Sequence, residues 1–425
     1  MSSSLKILIQ RADKLGDVLF SFPVIDQLKT LGIPLIIDYV ISPLARDLVA
    51  QHPDIRQYYS VTDRHRPPDL PNNYYDVYLC LWNGSKALIH LGKTHHIPIR
   101  IGYTHTRAFT HAFPLNTDNL SLHMIEQNTA LLQPFGLKPV FKRAVLPVRA
   151  SQTRSRPRLS ILTQTGGSNI PIPPRVLHEF IQCLLKTQPD TQISLLGNQP
   201  VPSLDACDPR VQAYRNTTLP ALMQHIYDSD YYIGPDTGPT HIASYYNIPT
   251  VFFSPLKINP PGTFGSLSDR QIIIRPDTQY PKLKLGPQDY EVYLKSITGA
   301  VLYQAYTKLQ ACRRRTYPEI KAYHLQHTLR ILYFPYNNQD DALTRYADAY
   351  ASIAVFRASR TIQGCIQQLK THNITLLYGA VPVATAQILR GYMGTVQAML
   401  KPVIIRKPLP ADPQMLINAY TALFS

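Results

Sequence analysis

The sequence predicts an α/β protein made of two parallel-sheet halves with a cleft between them. Apolar runs of strand length alternate with helix-like patterns along the first part of the chain. A Pro-, Ser- and Arg-rich stretch at residues 144–158 interrupts this alternation and is typical of a linker. The same alternation then resumes, which predicts a second unit of the same class.

The first half begins with a predicted strand at Leu5–Ile9 and a loop that ends at Gly16. A helical pattern then runs from Asp17 to a stop at Gly32, and Pro23 inside it indicates a kink or a restart. Ligands of parallel sheets bind beyond the carboxyl ends of the strands, so the loop after the first strand is a candidate site. Two further strands are predicted at Ile33–Val40 and Asp76–Leu81.

In the second half, a strand is predicted at Gln192–Leu196 and a helix at Leu219–Tyr227. That helix precedes Pro235-Asp236-Thr237-Gly238-Pro239-Thr240-His241, which lies between two apolar runs and predicts strand, tight turn, helix and strand. Gly238 permits the turn, and Pro239 suits the first position of a helix. The amino end of such a helix presents backbone N–H groups and a positive dipole, so the turn predicts a phosphate-type anion site.

The length of 425 residues predicts two or three domains. We place them at 1–150, 158–312 and 325–425, the last a small additional α/β unit of unknown role. Its predicted strands are Leu329–Phe334, Ser352–Phe356, Ile374–Tyr378 and Val403–Ile405.

Charge and cysteine content indicate which partners and which cellular compartment to expect. Lys and Arg total 43 against 27 Asp and Glu, a net charge of +16 that favours acidic partners. Five scattered cysteines fit neither a disulfide framework nor a zinc site, which indicates a reducing cytosol. No stretch approaches about 20 apolar residues. We therefore expect a cytoplasmic protein, with any membrane contact peripheral and at the inner face of the inner membrane.

Two stretches resemble glycosyltransferase family 9, the lipopolysaccharide heptosyltransferases. KILIQRADKLGDVLFSFPVIDQLK (Lys6–Lys29) resembles the amino-terminal signature of that family, and YIGPDTGPTHIASYYNIPTVFFSP (Tyr232–Pro255) resembles its second signature. The order and spacing of the two stretches also match, and the likeness covers roughly residues 5–310.

The resemblance implies a GT-B fold, in which two Rossmann-like domains face each other across a cleft. It implies an inverting, metal-independent transfer of a sugar, with ADP-heptose as the expected donor and no other cofactor. The second domain would hold the nucleotide-sugar, and the first would hold the acceptor, lipopolysaccharide core or a related anionic glycolipid.

On this resemblance Asp17 corresponds to the general base, with Asp13 in the same loop as a second candidate. Spacing alone favours a different role for Asp17, because Asp before an apolar helical pattern is a preferred N-cap. Arg11 and Lys14 are the predicted acceptor contacts, although any single cation can also be part of a solvated basic surface.

The predicted donor contacts are Gly166, Gly167, Asp236, Thr237, Gly238 and His241. The glycines can equally form an ordinary β–α turn, and a His at a helix start is often a surface residue. The sequence departs from the family after Gly167, where a cation expected a few residues on is missing and Arg175 is the next one. Asn198-Gln199 also replaces an acidic residue that the family places after Leu196-Gly197.

Two other functions stay open on the sequence alone. The missing cation and acid are compatible with a non-catalytic nucleotide- or glycan-binding GT-B module whose carboxyl-terminal domain mediates interactions. Net charge alone suggests nucleic-acid binding, but no nucleic-acid motif is present, and we expect no such partner.

Overall fold

A computed structural model of the chain describes residues 4–63, 65–103, 107–113, 122–144, 146, 156–166, 170–205, 208–255, 260–276 and 294–328, together with the backbone of four strands between 330 and 405. Three parallel sheets follow one another along these described residues. The predicted α/β class with two parallel-sheet halves is therefore confirmed, and a third sheet lies in the predicted additional unit.

The first sheet has six parallel strands in the order β3-β2-β1-β4-β5-β6. Its central strand β1 is buried because Ile7, Leu8 and Ile9 are apolar and fully enclosed. The strands are β1 (Leu5–Arg11), β2 (Leu35–Ile41), β3 (Gln57–Ser60), β4 (Val77–Cys80), β5 (Ile99–Tyr103) and β6 (His111–Phe113).

The second sheet repeats this arrangement in the order β12-β11-β10-β7-β8-β9. In both sheets the first strand is central, and the order in which later strands are added switches from one side of it to the other, between β1 and β4 and between β7 and β10. Such topological switch points open a crevice at the carboxyl ends of the strands, where ligands bind. The strands are β7 (Arg158–Leu162), β8 (Gln192–Leu196), β9 (Val211–Tyr214), β10 (Tyr231–Pro235), β11 (Thr250–Phe253) and β12 (Gln271–Ile274).

Helices connect the strands of both halves. The predicted restart at Pro23 is confirmed, because the first helical stretch is split into α1 and α2, and Pro23 lies in the first turn of α2. The helices are α1 (Leu15–Leu19), α2 (Phe22–Lys29), α3 (Arg46–Val49), α4 (Lys86–Thr94), α5 (Met124–Ala130), α6 (Pro174–Thr187), α7 (Pro202–Asp205), α8 (Leu219–Tyr227), α9 (Gly238–Tyr245), α10 (Pro261–Phe264), α11 (Gly299–Gln310) and α12 (Tyr317–Thr328).

The third sheet is parallel, with four strands in the order β14-β13-β15-β16. All four lie close to the predicted strands of the additional unit. They are β13 (Arg330–Phe334), β14 (Ala354–Arg357), β15 (Leu376–Gly379) and β16 (Val403–Ile405).

One apolar cluster contains residues of both halves. Leu19 and Phe20 of the first half belong to the same buried cluster as Ile242 and Tyr245 of the second. The Tyr245 hydroxyl also donates a hydrogen bond of 2.6 Å to the carbonyl of Leu19. The halves are therefore packed together through α1 and α9.

Helix α12 contacts both halves. Lys321 Nζ lies 2.6 Å from Glu126 Oε1 of the first half. The Tyr323 hydroxyl accepts a hydrogen bond of 3.1 Å from the backbone N–H of Ile273, on the edge strand β12. This contact covers part of an otherwise open sheet edge.

Candidate active site

Asp17 lies in the first turn of α1, at the carboxyl end of β1. The helix begins at Leu15, and Lys14 is its N-cap residue, with no side-chain cap bond. Asp17 is thus the third residue of the helix, and the expectation that it caps the helix is wrong. Its carboxylate is 19% exposed and lies near the positive end of a short helix.

Arg11 contacts both carboxylates of this loop and also the segment after β4, next to the switch point of the first sheet. Its Nη2 donates a 2.9 Å hydrogen bond to Asp17 Oδ1, and its Nη1 donates to the carbonyl of Leu81, just after β4. Its Nε lies 3.0 Å from Asp13 Oδ1, although the two atoms are not aligned for a hydrogen bond. Burial alone would lower the pKa of Arg11, but Asp13 and Asp17 outweigh it and raise that pKa above its usual value.

Asp13 titrates unusually close to neutral pH. Burial raises the pKa of its carboxyl to about 7, the charge of Asp17 adds to this rise, and Arg11 offsets part of it. The loop therefore contains two neighbouring carboxyls, of which Asp13 exchanges a proton near pH 7.

The second candidate loop connects β10 to α9 and is almost fully buried. Thr240 Oγ1 donates a 2.5 Å hydrogen bond to the carbonyl of the last β10 residue, which fixes the turn. Thr237 is the N-cap residue of α9 but makes no side-chain cap bond. The first N–H groups of a helix have no partner within the helix, so the end that begins at Gly238 can accept an anion.

His241 is positioned within this turn by Asp236. Its Nε2 lies 3.0 Å from Asp236 Oδ1, and both side chains are more than 90% buried. Because a carboxylate oxygen accepts, Nε2 carries the hydrogen in this contact. The other ring nitrogen, Nδ1, is buried and has no hydrogen-bond partner among the described residues.

The two loops touch each other across the two halves. A Cβ atom added at Gly16 would lie 2.8 Å from His241 Cδ2, and one added at Gly238 would lie 2.9 Å from Leu15 Cβ. The ring of Phe20 meets the His241 imidazole edge-on, with centroids 4.5 Å apart. Two glycines thus allow the loops after β1 and before α9 to come into van der Waals contact.

Gln164 joins two further loops at the carboxyl edge of the second sheet. Its Oε1 accepts hydrogen bonds of 2.9 Å from the backbone N–H groups of Asn198 and Gln199, and its Nε2 donates to the carbonyl of Gln199 at 2.7 Å. The Asn198-Gln199 segment is therefore held by hydrogen bonds between its backbone and the neutral amide of Gln164.

The remaining predicted site residues lie in different surroundings. Gly166 is exposed, and no atom of the described residues would lie within 4 Å of a Cβ added there; Gly167 lies outside the described residues. Lys14 is exposed at the mouth of the first loop. The structure thus brings the loop that contains Arg11, Asp13 and Asp17 together with the turn that contains Gly238 and His241, more than 200 positions further along the chain.

His123 is an interface residue that the sequence analysis did not single out. Its Nδ1 accepts a hydrogen bond from the backbone N–H of Ile125, and its Nε2 lies 3.1 Å from the carbonyl of Gly265 in the second half. These two partners require a neutral ring that carries its hydrogen on Nε2. Burial, followed by the nearby His324, lowers the pKa of His123 well below its usual value, in agreement with that state. The sequence signal for it is the capping box that His123 forms with Glu126.

The described residues also include a surface hollow away from the loop pair, but no metal-binding cluster and no helix that could span a membrane. A surface hollow of about 520 Å³ between Lys29 and Arg56 lies at the amino ends of β2 and β3. No cluster of three His, Cys, Asp or Glu side chains in the described ranges is arranged to hold a metal ion. Among the helices that the structure describes, none is long and apolar enough to cross a membrane.

The first two sheets have the GT-B fold that the resemblance implied. E. coli ADP-heptose lipopolysaccharide heptosyltransferase II matches with a TM-score of 0.57 and 17% identity, over 72% of this chain and 99% of that one. E. coli heptosyltransferase WaaC, solved with ADP, matches with a TM-score of 0.55 and 13% identity, over 72% of this chain and 100% of that one. A family 9 glycosyltransferase from Veillonella parvula DSM 2008 matches with a TM-score of 0.59 and 15% identity, over 73% of this chain and 99% of that one.

At these identities the likeness establishes the fold. No protein-family model and no curated protein matches the sequence. The chemistry of this chain therefore depends on its own side chains.

Proposed function

We propose that the protein is an inverting glycosyltransferase that moves a heptose from ADP-heptose to lipopolysaccharide core or a related anionic glycolipid. The observation that supports this most directly is the contact between the Gly16-Asp17 segment and the Asp236–His241 turn, each at the switch point of its own sheet. Two E. coli proteins with the same fold support the donor: one is an ADP-heptose lipopolysaccharide heptosyltransferase, and the other, heptosyltransferase WaaC, has been solved with ADP.

In this proposal the amino end of α9 binds the diphosphate. Its first N–H groups and dipole favour negative charge, as at other helix amino ends. His241 Nδ1 gains a phosphate oxygen as its partner. Because Nε2 already donates to Asp236, a phosphate oxygen at Nδ1 requires a ring that donates from both nitrogens.

Asp17 then acts as the general base. Arg11 bonds its Oδ1, and the acceptor hydroxyl donates to the other oxygen. As the hydroxyl oxygen attacks the anomeric carbon, Asp17 takes its proton, and the bond from that carbon to the diphosphate breaks. The electron pair leaves with ADP, and the anomeric configuration is inverted.

The acceptor is placed against the first half in this proposal. Lys14 is exposed at the mouth of the loop, and Arg11 is 5% exposed. We therefore assign Lys14 to an anionic group of the acceptor. A role for Arg11 in contacting the acceptor stays a prediction, as does peripheral contact with an anionic membrane surface.

The test compares transfer by Asp17→Asn, Asp13→Asn and Asp47→Asn, with ADP binding measured in parallel. We expect Asp17→Asn to abolish transfer and to keep ADP binding. Asp47 lies on α3 and is 44% exposed, so its variant is the matched control and keeps both.

The outcomes separate the open alternatives. Loss of transfer in Asp13→Asn with retention in Asp17→Asn would assign the base to Asp13, whose pKa of about 7 suits a general base. Binding of ADP by the wild-type protein, without turnover of any sugar nucleotide, would favour a non-catalytic GT-B module. A thermal-shift comparison of ADP, UDP and GDP identifies the nucleotide, since a ligand at 100 times its Kd stabilises by about 2.7 kcal/mol.

A further inference from the structure

The carboxyl ends of three neighbouring strands in the second sheet are in register. Leu162 of β7 pairs with Leu196 of β8, which pairs with Tyr214 of β9. The residues that follow these three strands, Thr163, Gly197 and Arg215, therefore form the next row across the sheet. Backbone hydrogen bonds continue through this row, from Thr163 N–H to Leu196 and from Gly197 N–H to Tyr214, at 2.9 and 3.3 Å.

The middle residue of this row has no side chain, and Arg215 extends across it. Arg215 Nη1 lies 3.4 Å from Thr163 Oγ1, although the two strands are separated by β8. A Cβ added at Gly197 would lie 2.6 Å from the same Thr163 Oγ1. Gly197 thus leaves room for the guanidinium to reach the end of β7.

The end of β7 is next to the predicted phosphate turn. Ile161 of β7 pairs with Ile233 of β10, so Thr163 and Pro235 stand opposite each other two residues further along. Neighbouring strands are about 4.8 Å apart. Thr163, whose hydroxyl lies 3.4 Å from Arg215 Nη1, is therefore about one strand spacing from the end of β10, where the turn at Asp236 begins.

The loop after β7 does not itself place a cation next to this turn. The loop that follows β7 contains no Lys or Arg from Thr163 until Arg175, which is the second residue of α6. Arg215 directly follows a different strand, β9, and is partly buried, so water screens its charge less than that of a surface cation.

We propose that Arg215 supplies the positive charge that binds the phosphates of the nucleotide donor, in place of a cation in the loop after β7. This inference rests on the proposed function, because it concerns the donor subsite of that same site. A guanidinium can donate two hydrogen bonds to one phosphate group. Thr163 accepts a hydrogen bond of 3.4 Å from Arg215, and Gly197 leaves space for its side chain.

Calorimetric titration with adenosine, AMP and ADP tests the assignment. We expect Arg215→Ala to weaken ADP binding by about 10- to 100-fold, the value of a charge-assisted hydrogen bond. Binding of adenosine, which has no phosphate, is expected to stay unchanged. Arg215→Lys keeps the charge but loses the two-fold contact, so its loss of ADP affinity is expected to be smaller.

Arg210→Ala is the matched control. Arg210 precedes the same strand, β9, but lies at its amino end, where it pairs with Asp208 at 2.7 Å. This variant is expected to bind ADP like the wild type. Urea unfolding of every variant checks that each one is folded, and Arg215→Lys keeps the test decisive if Arg215→Ala does not fold.

Several results would overturn the assignment. If Arg215→Ala bound ADP as tightly as the wild type, the role of Arg215 would be refuted while the proposed function would stand. The same conclusion would follow if the substitution weakened the binding of adenosine and ADP equally. If the wild-type protein bound none of ADP, UDP and GDP, the proposed function would fail together with this inference.

Discussion

Replacement of Arg11 by Gln is expected to destabilise the protein in a way that depends on pH. The Arg11 guanidinium is 5% exposed and lies next to the carboxylates of Asp13 and Asp17. Removing one partner of a buried ion pair costs about 3–5 kcal/mol, because it leaves charge buried without compensation. In Arg11→Gln this loss of stability is smaller at pH values where Asp13 is protonated, because a neutral carboxyl leaves less uncompensated charge.

The direction of the pH effect follows from the pKa of Asp13. This pKa is about 7 in the folded wild type, above the usual value of 3.8 in an unfolded chain. A raised pKa means that the folded state holds the extra proton, so this contribution to stability is present at low pH and is lost as pH rises through about 7. Arg11 lowers the pKa of Asp13, so its removal extends the loss to higher pH.

The magnitude follows from the same linkage. One group that holds a proton only in the folded state changes the unfolding free energy by about 1.4 kcal/mol per pH unit. In the wild type this change ends near pH 7, whereas without Arg11, which lowers the pKa of Asp13, it is expected to extend above pH 7. The destabilisation caused by the substitution is therefore expected to be larger at pH 8 than at pH 6, by up to about 1.4 kcal/mol.

Urea unfolding of the wild type and Arg11→Gln at pH 6 and pH 8 measures this difference. Arg210→Gln is the control, because its partner Asp208 has a pKa lowered to about 2 by their hydrogen bond and does not titrate in this range. An equal destabilisation by Arg11→Gln at both pH values, or a larger one at pH 6, would refute the coupling of Asp13 to Arg11.

Three further predictions concern the contact between the halves. Gly16→Ala places a Cβ 2.8 Å from His241 Cδ2, so we expect a loss of about 1–3 kcal/mol in urea unfolding together with reduced transfer; an unchanged midpoint would contradict the tight contact. Tyr245→Phe leaves the buried carbonyl of Leu19 without its donor and is expected to cost about 1–3 kcal/mol, which a melting temperature equal to that of the wild type would disprove. Burial lowers the pKa of His324 to about 3, so its contribution to stability is present above about pH 6.5 and is lost as pH falls. His324→Gln is expected to flatten this acid-side loss by about 1.4 kcal/mol per pH unit, and identical pH profiles would count against it.

The elements that could be predicted from the sequence are those with strong local patterns. Strand Gln192–Leu196 and helix Leu219–Tyr227 have the predicted bounds, because each is an apolar pattern between clear turn or cap residues. The Asp236–Gly238 turn was likewise predicted from local chemistry, since glycine and proline mark the start of α9.

The surroundings of the site residues depend on distant parts of the chain and could not be predicted. Burial of Arg11 depends on the carbonyl of Leu81, which is 70 positions away. The position of Asp17 depends on α1 beginning at Leu15 without a side-chain cap, against the local preference for Asp as the cap. The side chain of Arg215 crosses β8 only because the strands align Gly197 with it.

The apolar cluster shared by α1 and α9 affects how the molecule unfolds. Separate domains joined by a linker can melt one at a time, each with its own transition. Here Leu19 and Phe20 lose their packing partners as soon as Ile242 or Tyr245 moves away, because all four lie in one cluster. Melting of either of the first two sheets thus exposes the core of the other, which favours a single cooperative transition for both.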